Sequence, residues 1–228
     1  MEKFEERFMV SREKWPLFTN LFTQRFGWKD FDWIDSVLIS EELEILEAKL
    51  LEDPKNYQLL AEIKDKYHRK SIDTDLYIDG FAKKDHLKFG YQVKGLSWEF
   101  AIAYLTSVIS IEPHRRGEFA DSQARYHITA YYNEDETEIA AWIKCDFNLL
   151  REFISKCLMM GHDWNTKCRW IKENSSGKKF LRIEFARLLI DPRADGVVLD
   201  YEIMDDRIEK RLEEMLKRER LILNYTPE

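Results

Sequence analysis

Asp73 and Asp75, in the run Asp73-Thr74-Asp75-Leu76-Tyr77-Ile78-Asp79-Gly80, are the first residues whose type and spacing could do chemistry. On an extended segment, residues i and i+2 share a face, so the two carboxylates could hold one Mg²⁺ or Mn²⁺ ion. Phosphoryl-transfer centres gather carboxylates for that purpose, and Asp146 or His127 would complete one if the sheet brought them alongside. Asp and Gly are equally the residues from which solvated turns are built, and the turn is the expected reading.

A second group is His127-Ile128-Thr129-Ala130. Phosphoesterases of the two-histidine class carry two His-hydrophobic-Thr-hydrophobic runs, because one imidazole takes a proton while the other gives one. This chain holds a single copy: His68, His86, His114 and His162 are followed two residues later by Lys, Lys, Arg and Trp. A histidine on a sheet face is the simpler account. The third group is Glu112-Pro113-His114-Arg115-Arg116-Gly117. His114, Arg115 and Arg116, with Arg125 nearby in sequence, could grip a phosphate or carboxylate through paired N–H donors. The same residues would also complement the negative end of the helix that precedes them, and that reading stands ahead.

Absent strings exclude more. The chain has no G-x-x-x-x-G-K-[ST] loop, G-x-G-x-x-G fingerprint, H-E-x-x-H or C-x-x-C pair. It has no G-x-S-x-G elbow or kinase signature set, and no nucleic-acid module with a readable string. Cys145, Cys157 and Cys168 are odd in number and too far apart for a metal knuckle, so they are expected to be reduced thiols of a cytoplasmic protein.

Composition sets the frame for these groups. The 228 residues carry a net charge of −7 with 35% charged residues, which favours solubility and argues against nucleic acid and anionic lipid as partners. No apolar run approaches the roughly 20 residues a membrane span requires. Hydrophobic residues make up 44% and aromatic residues 14%, enough for a sizeable core.

The elements that must position the candidate groups are read from periodicity. Residues 1–80 read as a helical N-terminal region: a helix with Pro16 in its first turn and Gly27 as its stop, then an aromatic connector over Trp28, Phe31 and Trp33. A second helix is capped by Ser40 and a third carries Tyr57, Leu60, Ile63 and Tyr67 on one face. Residues 81–228 read as an α+β core forming one compact unit with the first region. Lys88–Val93 alternates as a strand, Ser97 caps a helix expected over Trp98–Ile111, and Arg125–Lys144 is a hairpin. A helix follows from Asp146 or Phe147 to Met160, and a second hairpin spans Arg169–Leu189.

These elements predict a mostly antiparallel sheet built from the two hairpins with helices on one face, and a split β-α-β arrangement of the ferredoxin-like kind fits the order. A charged helix over Asp205–Leu223 closes the chain. Its stripe Met204, Ile208, Leu212 and Met215 is expected to dock on the core, with self-association as a second use.

The expected function is therefore non-enzymatic: a cytoplasmic inhibitor, immunity-type protein or regulatory factor that binds another protein, one with a basic surface being the best match to the acidic chain. No cofactor is expected on this reading. The rival is a divalent-metal-dependent phosphoryl-transfer enzyme acting on nucleotides or nucleic acid through Asp73, Asp75, His127 and Asp146.

Overall fold

The computed structural model describes residues 12–28, 30–33, 48, 80–84, 87–111, 124–159, 171–173 and 179–225. Apart from Ala48, the expected second helix lies outside these residues, as do the third helix and the second hairpin's loop. Pro16 stands in the first turn of α1 (Trp15–Gln24), and Gly27, with φ of +64°, turns the chain away from it. The chain then enters β1 (Asp30–Trp33), so the aromatic connector is a strand.

β1, β2 (Gly80–Lys84), β3 (Leu87–Leu96), β5 (Tyr126–Tyr132), β6 (Ile139–Asp146) and β9 (Val198–Ile203) lie side by side in that order. All neighbours are antiparallel except the parallel pair β3 and β5. A smaller antiparallel sheet has the order β4 (Thr106–Ile111), β8 (Lys179–Glu184), β7 (Ile171–Glu173). The fold is thus α+β with mainly antiparallel pairing. The two hairpins fall in different sheets, which is not the order of a split β-α-β arrangement.

The β5–β6 hairpin is the one read from the sequence. Asn133 ties its loop: the side-chain oxygen accepts from the N–H of Thr137 (2.8 Å) and of Glu138 (2.9 Å). Pleating then sends alternate residues to opposite faces of the large sheet. Tyr91, Val93, Ile128, Ala130, Tyr132 and Trp142 meet Phe18, Leu21 and Phe22 of α1. On the other face, Tyr131, Ala141, Ile143 and Cys145 meet the small sheet and α3 (Phe147–Met159), α4 (Phe185–Ile190) and α5 (Asp206–Tyr225).

Two contacts fix the α1 face. A Cβ added at Gly95 would fall on the Tyr132 hydroxyl, so only glycine lets that ring lie against β3. The Lys144 ammonium sits over the rings of Phe26 (4.6 Å), Tyr126 (4.7 Å) and Trp28 (5.3 Å), joining the end of α1 to β6.

Two boundaries differ from expectation. The Ser97 cap is real, its Oγ accepting from the Phe100 N–H, but the helix it opens, α2 (Trp98–Ala103), is short. Leu105 takes φ of +41° and the chain continues as β4. A strand buried on both sides is as apolar as a buried helix, so composition does not separate the two. Likewise the second hairpin's long strand stops at Glu184, and Phe185–Ile190 coils into α4.

Candidate functional site

His127 lies inside the molecule. On the parallel pair, Gln92 is in register with His127 and Lys94 with Thr129, and all four side chains are buried. Ser107 reaches them from β4: its Oγ is 3.3 Å from His127 Nδ1 and 3.1 Å from Thr129 Oγ1. Phe147 of α3 stacks on the imidazole with centroids 5.3 Å apart. Nearby, the Tyr131 hydroxyl donates to the Thr106 carbonyl at 2.6 Å.

Burial, and then the charge of Lys94, pull the His127 pKa down to about 3, against a smaller opposing effect of a backbone hydrogen bond to Val108. A serine within reach of a histidine has the composition of an activated nucleophile. Here the imidazole is neutral and enclosed, and a base of such low proton affinity gives serine little activation near neutral pH. What the cluster does is join the two sheets through buried polar side chains, Ser107 of one bonding His127 and Thr129 of the other.

Asp146 has a different task. Its Oδ1 accepts from the N–H of Asn148 (3.0 Å) and of Leu149 (3.1 Å), capping α3. Its register partner is Tyr126 while that of His127 is Cys145, so Asp146 and His127 leave the sheet on opposite faces and are not brought together. Arg125 is exposed, its guanidinium 5.9 Å from the Tyr126 ring. His114, Arg115, Arg116, Asp73 and Asp75 lie outside the described residues. Among the described residues, no three His, Cys, Asp or Glu side chains form a group that could hold a metal ion. Cys145 and Cys157 are buried free thiols, and burial pushes the Cys145 thiol up; Cys168 is outside the described residues.

A second polar region is open. Between α4 and the edge strand β9 runs a groove of about 680 Å³. Leu188, Leu189 and Val198 line it, and Leu199 (48% exposed) and Tyr201 (44% exposed) stand in solvent at its side. Tyr201 is held edge-on against Phe185 at 5.0 Å.

Among the described residues, three carboxylates line the groove and no Lys, Arg or His does. Asp191 is buried and compensated: Arg187 Nε is 2.8 Å away, and Arg193 Nη2 is 2.7 Å away. Burial opposes its ionisation, but the hydrogen bonds from Arg193 and the charges of Arg187 and Arg193 outweigh it and hold the carboxyl below its usual range. Arg187 also meets Glu219 of α5 at 3.4 Å, tying the groove wall to the last helix. Asp195 and Asp200 are exposed, and among the described residues neither is in an ion pair. The Asp200 Oδ1 accepts the N–H of Tyr201 at 2.9 Å.

None of these groove residues was a site candidate in the sequence, where 191–196 read as a surface turn and 197–201 as a short strand or connector, the strand being what forms. The available signal was Leu199 and Tyr201, two large side chains alternating with Asp200 and Glu202. The stripe considered for self-association is divided: Ile208, Leu212 and Met215 are buried in the main core, and Met204 is 47% exposed. Among the described residues, no helix is long and apolar enough to cross a membrane. Comparison of the chain with protein-family models, curated proteins and solved structures finds no match in any of the three.

Proposed function

We propose that this protein acts in the cytoplasm by binding another protein, as an inhibitor, an immunity-type protein or a regulatory factor, and that the partner sits on the groove between α4 and β9. The observation that carries the reading is the pair Leu199 and Tyr201, 48% and 44% exposed on a strand hydrogen-bonded into the large sheet, beside a concave surface. A large apolar side chain held out on a rigid element costs solvation and contributes nothing to the core; buried under a partner it becomes a contact of the kind that dominates interfaces. The acidic chain adds long-range attraction for a basic partner.

The test places a photo-crosslinking residue at position 199, and at position 23 on the exposed side of α1 as a control. The reading expects one protein, identified by mass spectrometry, to crosslink from 199 and not from 23, and to bind the purified chain with fixed stoichiometry. The same products from both positions, or none from 199, would remove it.

A further inference from the structure

The groove sets the apolar side chains of Leu188, Leu189, Val198, Leu199 and Tyr201 beside the carboxylates of Asp195 and Asp200, which among the described residues have no ion-pair partner. We infer that it receives an arginine of the partner, the guanidinium on the Asp195 or Asp200 carboxylate and the aliphatic stem along Leu199 and Tyr201; this rests on the interface reading above.

The chain supplies a template for that recognition in the same groove. Asp191 is met by Arg193 as a fork, Nε to Oδ1 at 2.9 Å and Nη2 to Oδ2 at 2.7 Å. The planar guanidinium matches a carboxylate at two points, sheds water more readily than an ammonium, and stacks on an aromatic face such as that of Tyr201. Lysine offers the charge and the stem without the fork. Asp200 keeps acceptor capacity, since the contact to the Tyr201 N–H uses one oxygen.

Other occupants fit less well. A second copy of the chain would bring β9 against β9, and this strand carries Asp200 and Glu202 and no basic residue, so no register would set a cation of β9 opposite either carboxylate. Addition of a partner strand is opposed by the pairing irregularity between β6 and β9 and by the Asp200 carboxylate already held on an N–H of the edge. Recognition then falls to side chains, and charge selects their sign.

The experiment uses the full chain, isotope-labelled, and three capped pentapeptides: Leu-Arg-Leu-Arg-Leu and its glutamine and glutamate counterparts. The arginine peptide should shift the resonances of Leu199 and Tyr201, bind several-fold more tightly than the glutamine peptide, and weaken as ionic strength rises. Asp195→Asn and Asp200→Asn together should bring its affinity down to that of the glutamine peptide, while the glutamate peptide leaves the groove unshifted. Equal affinity of the arginine and glutamine peptides, or no effect of the two substitutions, overturns the arginine inference and leaves an apolar interface standing. Shifts away from the groove, or none with the arginine peptide, also overturn it, and the interface reading is then decided by crosslinking from position 199.

Discussion

The polar cluster around His127 and the polar rim around Asp200 belong to one sheet, with β6 between their strands, and differ in what reaches them. His127, Gln92 and Thr129 are wholly enclosed, and Ser107 bonds two of them across the gap between sheets. Asp195 and Asp200 are exposed, and among the described residues neither is in an ion pair. The enclosed cluster carries the residue types of an active site and the environment of a core. The open rim carries plain surface residues and the unspent interactions of a binding site. On the proposed function, the binding site is marked by exposure and unpaired charge, and not by which residue types are gathered.

That contrast can be broken by substitution. The sealed side should give the largest effects. Trp142 is 3% exposed, stacks edge-on against Phe26 and donates to Glu202, so Trp142→Ala should cost about 3–5 kcal/mol in urea unfolding. A loss under about 1 kcal/mol would mean that the α1 face is loosely packed. Gly95→Ala should cost about 1–3 kcal/mol, because the new methyl displaces the Tyr132 ring and the α1 side chains behind it. A neutral result would show that the ring is free to move.

The pH dependence of stability sharpens the same point. His127 protonates near pH 3 when folded and near 6.5 when unfolded. Between those values the unfolded chain binds a proton that the folded chain does not. Its contribution to stability is therefore complete above pH 6.5 and falls as pH drops toward 3, with a slope approaching about 1.4 kcal/mol per pH unit. Unfolding measured from pH 7 to pH 4 should show this slope, and His127→Gln should lack it. The same slope in both proteins would place His127 in contact with water.

Much of the fold was legible. The β5–β6 hairpin, α1, α3 and the final helix follow from alternation, caps and the 3.6-residue period. Which face of the hairpin is buried was not legible, because both are: every residue from His127 to Tyr132 is buried, so no polar face reveals the register. The short helices α2 and α4 each abut a strand, and apolar residues continue across both junctions, which hides the boundaries. The site was less legible than the fold. His127 and Asp146 attracted notice for their chemistry, but the sequence holds no sign that one would be enclosed and the other spent on a helix cap. The groove is made by bringing α4 beside the sheet edge, and that is a property of packing alone.

The smallest expected effect on stability gives the most direct test. Leu199 is 48% exposed, so Leu199→Asp should change the free energy of unfolding by no more than about 0.5 kcal/mol. Calorimetric titration of the partner identified by crosslinking should show binding to the unaltered chain and its loss in this variant, with the melting temperature unchanged. Wild-type affinity in a folded Leu199→Asp protein would contradict the assignment of function to the β9 groove.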